Sequence, residues 1–558
     1  MNRILGFLVS KLCGKPAPTL VLAAIFALLT AATADLAHAQ TFTDLYNFGT
    51  ASTDPVTPQN PGLIAQGLDG NLYSTSPIGG ALNQGSVFKI TPGGALSIIY
   101  SFDGVVGLLP YGGLTLGTDG NFYGTAQQGG SSGGGIIFQI TPAGNLTVLY
   151  QFTGAAPDGK FPDAAPIEAT DGNFYGTALY GGTAGDGSVY KLTPSGVLTT
   201  LHSFKGGDGK FPIAPLVQGT DGNIYGTTSS GGKLKWGTVF RISTTGKFKV
   251  LYNFDITHGQ DISAPLIQGT DGNLYGTAQS GGTNTDGTIF SITPAGVLTV
   301  LHNFTGFDGY LPYAGLVQAS DGNFYGVTTG YGPSGFGSVF SITPQGTFST
   351  LYSGFNSFTG EEPEVTLLQH TNGLLYGDTF TGGTGSLCTC GTFYSLNSSL
   401  PPFAGLVSSS GRVGLTVGIL GQGFTGSGGI SFNGTAATNF AIVSDTYATA
   451  QVPVGATNGL VVVNTPGGPL ISKQEFRVIP AKITSFSPHS GPVGTQVILT
   501  GVSLTDTSKV TFGGVAATTF VVNSDTQVTV TVPTGAKTGR IVITTPGGTA
   551  ASGTFTVT

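Results

Sequence analysis

Thr270-Asp271-Gly272-Asn273-Leu274-Tyr275-Gly276 is one copy of a motif that returns about every fifty residues. A unit of this length cannot bury its own apolar face, so the copies are expected to pack on one another. Its period and strand-like content are typical of propeller blades. The motif tyrosines mark seven copies, the last of them degenerate at residues 371–373: Tyr73, Tyr123, Tyr175, Tyr225, Tyr275, Tyr325 and Tyr376.

The residues within one unit alternate between short strands and tight turns. In the fifth copy, residues 264–268 and 274–278 form two apolar runs on either side of the Asp-Gly-Asn turn, where Gly272 can adopt a positive φ without steric penalty. Residues 287–292 alternate polar and apolar side chains with a period of two, and residues 297–304 supply a fourth run. Four strands per unit predict the blade of a propeller.

The two ends of the repeat region predict ring closure. The last unit stops after its third strand, at residues 391–396. The missing fourth strand stands at the other end, because residues 41–48 match the fourth-strand residues 248–254. An N-terminal strand that completes the last blade would pair two otherwise open edges. The sequence therefore predicts an all-β chain in which residues 40–400 form a seven-bladed β-propeller closed by the N-terminal strand.

Residues 1–39 have the pattern of a signal peptide. Arg3, Lys11 and Lys15 precede an apolar stretch from residue 20 to about residue 34, and Ala37-His38-Ala39 supplies a small-residue cleavage site after Ala39. The protein is therefore expected to be secreted or associated with the cell surface. No second apolar run approaches the roughly 20 residues needed to span a bilayer, so no transmembrane anchor is expected.

Composition agrees with a turn-rich β protein and limits its partners. The chain has 93 Gly and 31 Pro, with only 8% charged residues, which disfavours long exposed helices. Its net charge is −7, and loss of residues 1–39 makes the mature chain more negative still. This charge disfavours nucleic acid as a partner. A monomer is expected.

A second repeat, with a period of about 80 residues, occupies the C-terminal part. Residues 465–468 and 545–548 both read Thr-Pro-Gly-Gly, and Val452-Pro453 is matched by Val532-Pro533. Short alternating strands within each copy suit a β-sandwich. Two immunoglobulin-like sandwiches are predicted, over residues 401–480 and 481–558.

Both repeats resemble known families. Residues 483–494 read Ile-Thr-Ser-Phe-Ser-Pro-His-Ser-Gly-Pro-Val-Gly, and with Val510-Thr511-Phe512-Gly513-Gly514 they resemble an IPT/TIG domain, an immunoglobulin-like module. The first copy lacks the usual proline in residues 408–414. The propeller units resemble the Gloeobacter/Verrucomicrobium-type repeat through Asp-Gly-Asn-x-Tyr-Gly, Gly-Gly and Gly-x-Val-Phe. The resemblances imply an exported bacterial protein, and neither family assigns a reaction.

Motifs for catalysis, metal binding or cofactor binding are lacking. The histidines show no zinc spacing, and His202 and His302 stand where other units have Tyr150 or Tyr252, which favours packing over catalysis. Cys388 and Cys390 are interpreted as a structural or incidental pair. No metal, no cofactor and no enzymatic activity are expected.

Recurrent carboxylates remain as candidates. Those of the Asp-Gly-Asn turns are explained by capping of their own backbone. A second set lies in the connections between blades, where Asp, Lys and aromatic residues could hold a sugar or a peptide by hydrogen bonds and stacking. A repeated turn is the competing explanation. The candidate ligand-binding residues are Asp158, Lys160, Phe161, Asp208, Lys210, Phe211, Asp308 and Tyr310.

Two functional classes follow from this reasoning. The preferred hypothesis is an exported, non-catalytic binding or scaffold protein, whose propeller face engages an extracellular glycan or protein and whose sandwiches act as spacer or contact modules. The alternative is an extracellular carbohydrate-active hydrolase or lyase with its site at the channel mouth, since paired carboxylates about 5 to 10 Å apart suffice for glycoside hydrolysis. Fold alone does not decide between them.

Overall fold

A computed structural model describes residues 40–58 and 62–558, and the predicted signal peptide lies outside this part. All the regular elements of the described residues are β-strands, so the prediction of an all-β chain is confirmed. None of the described segments forms a helix long and apolar enough to cross a membrane.

The first six repeats each form one four-stranded antiparallel sheet with strands in chain order. Sheets 1 to 3 contain Ala65–Gln66, Leu72–Ser76, Ser86–Ile90 and Leu96–Ser101; Thr115–Leu116, Phe122–Ala126, Ile136–Ile140 and Leu146–Gln151; and Ile167–Glu168, Phe174–Ala178, Ser188–Leu192 and Leu198–Ser203. Sheets 4 to 6 contain Val217–Gln218, Ile224–Thr228, Thr238–Ile242 and Phe248–Asn253; Ile267–Gln268, Leu274–Ala278, Thr288–Ile292 and Leu298–Asn303; and Val317–Gln318, Phe324–Thr328, Ser338–Ile342 and Phe348–Tyr352.

Sheet 7 is built from both ends of the repeat region. Its strands Leu368–Gln369, Leu375–Asp378 and Thr392–Asn397 are completed by Thr41–Asn47, which pairs with the third of them. Sheets 1 and 7 are in contact, since the Gln66 side-chain amide donates a hydrogen bond of 2.8 Å to Thr371 Oγ1.

The Asp-Gly-Asn motif builds the turn between the first two strands of a sheet. In sheet 5, Asp271 Oδ1 accepts a 3.1 Å hydrogen bond from the Asn273 backbone N–H, and Oδ2 accepts one of 2.8 Å from the Asn273 side chain. The Tyr275 hydroxyl donates a third, of 2.7 Å, to the same Oδ2. Gly272 has a φ of 84°, which only glycine adopts at no steric cost. The turn thus uses the aspartate, asparagine and tyrosine of the motif, while the Thr270 N–H donates to Gln318 of the next sheet.

The tyrosine of the motif also joins neighbouring sheets. The ring of Tyr275 stacks on Phe324 of sheet 6 with centroids 4.0 Å apart, and Tyr73 stacks on Phe122 of sheet 2 at 4.1 Å. Within a sheet, Gly276 leaves room for Phe290, whose ring would lie 2.8 Å from an added Cβ. Buried aromatic contacts of this kind supply the core between sheets.

The loops at the two ends of the strands differ, and these two ends of each sheet are here called the turn edge and the connection edge. The turn edge carries the turns between the first and second and between the third and fourth strands. The connection edge carries the loops between the second and third strands and the connections from one sheet to the next. There, the connection entering a sheet pairs with that sheet's own loop: Gly159–Lys160 pairs with Tyr180–Gly181, Pro55–Val56 with Ile78–Gly79, and Lys210 bridges to Ser230.

Residues 405–478 and 482–557 each form two main sheets around a separate apolar core, here called sandwich 1 and sandwich 2. The first sheet of sandwich 1 contains, in spatial order, Gly405–Leu406, Thr416–Leu420, Tyr447–Gln451 and Phe440–Ile442. Its second sheet contains Thr435–Ala436, Gly429–Phe432, Val461–Thr465 and Gly468–Ile471. A parallel pair is formed by Ser410–Gly411 and Arg477–Val478. The first sheet of sandwich 2 contains Lys482–Ser487, Gln496–Val502, Gln527–Thr531 and Phe520–Ser524. Its second sheet contains Ser490–Gly491, Gly548–Val557, Gly539–Thr545, Lys509–Phe512 and Val515–Ala516.

Sandwich 1 packs against the turn edge. Thr446 Oγ1 donates a 2.9 Å hydrogen bond to the Leu68 carbonyl, and the Lys473 ammonium donates one of 3.2 Å to the Gln318 carbonyl. Lys473 also lies 4.4 Å from the ring centroid of Phe403, and burial lowers its pKa to about 8. The hydrogen bonds that the described residues of sandwich 1 form with the seven sheets all involve the turn edge.

One disulfide, and two ion pairs between the sandwiches, add further links. Cys388 and Cys390 form a disulfide in the loop of sheet 7. Arg412 of sandwich 1 forms ion pairs with Asp506 and, at 3.2 Å, with Asp525 of sandwich 2.

Candidate functional site

Large apolar side chains exposed to solvent gather on the connection edge. Within the described parts of the seven sheets and their loops, two such residues lie on the turn edge, Val197 and Val297. Exposed apolar groups concentrated on one face of a protein mark interaction surfaces. The others all lie on the connection edge: Leu82, Val105, Tyr180, Leu234, Trp236, Ile256, Phe307, Tyr331, Phe336, Phe358 and Leu387.

Three aromatic side chains of sheets 3 and 4 form a continuous row within this edge. Tyr180 lies between the other two, with its ring centroid 6.1 Å from Phe161 and 5.2 Å from Phe211, both edge-on. The Lys160 ammonium lies 5.3 Å from the Phe161 centroid. This aromatic row offers apolar faces beside a positive charge, an arrangement that suits a sugar ring or a peptide side chain.

Backbone strain fixes two members of the row. Phe161 and Phe211 have φ values of 59° and 55°, which non-glycine residues seldom adopt. Each also precedes a proline, which disfavours helical backbone for the residue before it. Backbone hydrogen bonds hold them there: Phe161 N–H donates to Gly134 at 2.7 Å and Phe211 N–H to Asp186 at 3.0 Å. The equivalent residues of other sheets, Leu109, Asp261, Leu311 and Glu362, also have positive φ, so this backbone conformation belongs to the repeat and positions whichever side chain stands there.

The three candidate aspartates brace their own loops. Asp158 accepts hydrogen bonds of 2.7 and 2.8 Å from the backbone and hydroxyl of Thr153. Asp208 accepts from the Lys205 N–H at 2.8 Å and contacts His202 at 3.0 Å. Asp308 repeats this arrangement with Thr305 and His302. These carboxylates are largely used by the fold, as the repeated-turn explanation expects.

The remaining candidates divide between two places. Lys210 forms a 2.9 Å ion pair with Asp186 next to the aromatic row. Tyr310 belongs to sheet 6, where its ring packs 5.0 Å from Tyr331. The structure therefore groups four of the eight predicted residues, Lys160, Phe161, Lys210 and Phe211. Asp158 and Asp208 brace the connections that carry this group, and Asp308 and Tyr310 lie elsewhere on the same edge.

His202 and His302 are packing residues with neutral rings. His202 stacks on Phe248 with centroids 3.7 Å apart, and His302 stacks on Phe348 at 4.0 Å. Burial lowers the pKa of both histidines, and this effect exceeds the opposing influence of the neighbouring aspartate. Each ring nitrogen near the aspartate thus acts as a neutral N–H donor above the lowered pKa.

Sequence reasoning did not single out Tyr180 and Asp163. Asp163 is 8% exposed, accepts a 2.6 Å hydrogen bond from the Gln127 side chain, and burial raises its pKa to about 7. Asp163 lies two residues after Phe161, and the equivalent residue in the next repeat is Ile213, two residues after Phe211. The equivalent residues of other repeats also vary, being Tyr111, Ser263, Tyr313 and Glu364, so comparison among repeats gives no signal for Asp163, and its burial is seen only in the structure.

A cleft of about 430 Å³ lies between the turn edge and the two sandwiches. Its charged side chains already have partners, since Glu168 accepts two 2.7 Å hydrogen bonds from Thr118 and Arg412 binds Asp525. Across residues 40–58 and 62–558, His, Cys, Asp and Glu form no group of three or more that could hold a metal. The connection edge is the stronger candidate site.

Comparisons with known proteins agree with the repeat structure. The family model for the Gloeobacter/Verrucomicrobia repeat matches residues 32–169 and 161–394, and that for the IPT/TIG domain matches residues 481–557. No curated protein matches the chain.

Two solved structures are similar to the chain at low identity. A fungal alcohol oxidase of the AA5 family in complex with copper is 14% identical over 93% of this chain and 99% of its own, with a TM-score of 0.42. A gluconolactonase of Xanthomonas campestris is 15% identical over 50% of this chain and 82% of its own, with a TM-score of 0.32.

The predicted resemblances to the repeat and to the IPT/TIG domain are confirmed by the family models. Because the repeat model covers well over half of the sequence, the chain belongs to the Gloeobacter/Verrucomicrobia repeat family and carries an IPT/TIG domain at its C-terminal end.

Proposed function

We propose that this is an exported, non-catalytic binding protein whose connection edge engages an extracellular ligand, a glycan or a protein. Residues 40–400 form a closed seven-bladed propeller in this proposal. The sandwich at residues 401–480 contacts the turn edge, and both it and the sandwich at residues 481–558 act as spacer or contact modules.

Closure of the propeller is supported by the contacts between its two ends. Strand Thr41–Asn47 completes sheet 7, and Leu63 bridges to Thr366 across sheets 1 and 7. One apolar core contains Phe48 and Leu72 together with Tyr376. A ring that pairs its terminal strands leaves no open sheet edge.

The observation that carries the proposed binding role is the unequal distribution of exposed apolar side chains. Eleven lie on the connection edge, and the turn edge, which has two, is the one that contacts sandwich 1. An open face with strained, pre-positioned aromatic rings is suited to binding because little ordering is required on contact.

A glycan array with a matched set of variants tests the proposal. The triple variant F161L/Y180S/F211L removes the aromatic row with residues found at equivalent positions of other repeats, such as Leu311 and Ser230. The control V197S/V297S changes the exposed residues of the turn edge. We expect each bound glycan to lose about tenfold or more in affinity with the triple variant only. Equal binding by both variants would contradict the connection edge as the site. A protein partner would be sought by the same comparison if no glycan binds.

The hydrolase alternative has one observation in its favour. A carboxyl whose pKa burial raises to about 7, as in Asp163, is partly protonated at neutral pH and could act as a general acid. A reducing-sugar release assay on each bound glycan, with D163N as the comparison, separates the two functions. Release that D163N abolishes would overturn the non-catalytic proposal, and binding without release supports it.

A further inference from the structure

The loop between the second and third strands of sheet 4 departs from those of the other sheets. It reads Lys233-Leu234-Lys235-Trp236, where sheet 5 has Thr283-Asn284-Thr285-Asp286 and sheet 3 ends with Asp186. Trp236 is the one tryptophan of the chain. The repeat fold does not require this sequence, because the loop of sheet 5 forms without it.

The backbone of the two loops is nevertheless the same. Lys233 N–H donates to Asn253 Oδ1 at 2.7 Å, and Thr283 N–H donates to Asn303 Oδ1 at 3.0 Å. Lys235 and Thr285 both have positive φ, 72° and 67°. The difference between the loops is therefore confined to their side chains, which change from polar and acidic to basic and aromatic.

A third lysine lies beside this loop. The Gly232 N–H donates a 2.8 Å hydrogen bond to the Gly206 carbonyl. Because Lys205 precedes Gly206 and Lys233 follows Gly232, this bond brings the backbones of the two lysines close together. Lys205, Lys233 and Lys235 are all exposed, and none forms an ion pair within the described residues. The nearby carboxylates have partners: Asp186 binds Lys210, and Asp208 contacts His202.

Trp236 directly follows Lys235 and its backbone bridges to Gly231, with 38% of its surface exposed. Leu234 is 49% exposed. At the position of Trp236, sheet 3 has Asp186, the carboxylate that neutralises Lys210. Sheet 4 therefore has Trp236 where sheets 3 and 5 have an aspartate, and it adds the cations Lys233 and Lys235. This loop is basic although the net charge of the chain is −7. An exposed aromatic face flanked by unpaired cations fits a ligand with sugar rings and negative charges.

We infer that Lys205, Lys233, Lys235 and Trp236 form a binding site for an acidic polysaccharide, with the indole stacking on a sugar ring and the lysines pairing with its carboxylate or sulfate groups. This inference rests on the proposed function, because it specifies the ligand class of the connection edge. The site adjoins the aromatic row, since Lys210 bridges to Ser230 at the start of the same loop.

A loop exchange tests the inference. In one variant residues 233–236 are replaced by Thr-Asn-Thr-Asp, the sequence of residues 283–286, which keeps the loop length and backbone. Binding is measured by calorimetry to polygalacturonate, dextran sulfate, neutral dextran and polyglutamate. We expect wild type to bind one or both acidic polysaccharides and the variant to lose about tenfold or more. Added salt should weaken wild-type binding.

Several results would overturn the inference. They are unchanged affinity in the loop variant, absence of binding to both acidic polysaccharides, equal binding to neutral dextran, or equal binding to polyglutamate. W236A, with the three lysines retained, must also lose affinity if the indole stacks on sugar. Binding of a neutral glycan that F161L/Y180S/F211L abolishes and the loop exchange does not would leave the proposed function standing while rejecting the acidic ligand.

Discussion

The hydroxyl of Tyr275 donates a hydrogen bond of 2.7 Å to Oδ2 of Asp271, four residues before it, while its ring stacks on Phe324 of the next sheet. One side chain thus closes the turn within its own sheet and packs against another. The same tyrosine-to-aspartate bond is present in the repeats of Tyr73, Tyr123 and Tyr175.

Removing the Tyr275 hydroxyl should destabilise the repeat region without disturbing its stacking. We expect Y275F to lower the free energy of unfolding by about 1–2 kcal/mol, because a charged acceptor loses a partly buried donor. Urea denaturation measures the change. Y180F is the control, since Tyr180 is exposed and its hydroxyl is not part of such a turn. An equal effect of both substitutions would argue against a specific role for the hydrogen bond.

His202 and His302 should make the protein less stable in mild acid. Burial lowers the pKa of both, so the folded chain binds fewer protons than the unfolded chain, whose histidines titrate near about 6.5. Their contribution to stability is present at pH 7 and is lost as the pH falls through 6.5 towards the folded values. We expect the double variant H202Y/H302Y, which copies Tyr150 and Tyr252, to lose less stability than wild type between pH 7 and 5.

Thermal unfolding at several pH values provides the measurement. Other buried groups titrate in the same range, so the quantity to compare is the difference between variant and wild type at each pH. A difference that does not change with pH would show that neither histidine is coupled to folding.

Asp163 should have the opposite pH dependence. Burial raises its pKa to about 7, so the folded chain holds this proton more strongly than the unfolded chain does. Its stabilising contribution is full below about pH 4 and is lost as the pH rises through 7. We expect D163N to be more stable than wild type at pH 8, and this advantage should shrink or vanish at pH 5. The melting temperature at both pH values checks this, with D103N as the control because Asp103 is exposed. A difference between D163N and wild type that is the same at both pH values would contradict the prediction.

Arg412 should restrict the angle between the sandwiches. It stands where sandwich 2 has Pro492, and its guanidinium bridges to Asp506 and Asp525 across the junction. The pairs are partly exposed, so R412A should cost less than about 1 kcal/mol of stability. We expect its small-angle scattering to report a larger and broader distribution of dimensions. R540A, which changes an arginine of sandwich 2 alone, is the control, and identical scattering of R412A and wild type would contradict the prediction.

Much of the fold was accessible from sequence because the repeat is regular. The motif around Tyr275 predicted the turn, and residues 41–48 predicted the strand that completes the last sheet, since both signals lie in local sequence. The candidate site was predictable in part. Phe161 and Phe211 were selected as members of a repeated connection. Tyr180, which lies between their rings, comes from a different loop, 19 residues after Phe161 and 31 residues before Phe211, and carries no motif.

The role of the candidate aspartates also required coordinates. Asp208 looks the same in sequence whether it faces a ligand or caps a loop, and only the positions of Lys205 and His202 show that its oxygens are already hydrogen-bonded. The burial that raises the pKa of Asp163 likewise depends on neighbouring segments, because desolvation is a property of the packed interior and not of the residue.

The sequence by itself determined the repeating unit, its strands and turns, and the two C-terminal modules, because apolar periodicity and turn chemistry act over a few neighbouring residues. The tertiary structure alone decided which edge sandwich 1 covers and which side chains meet on the open edge. Those relations join residues far apart in the chain, such as Thr446 and Leu68, through packing that local sequence does not encode.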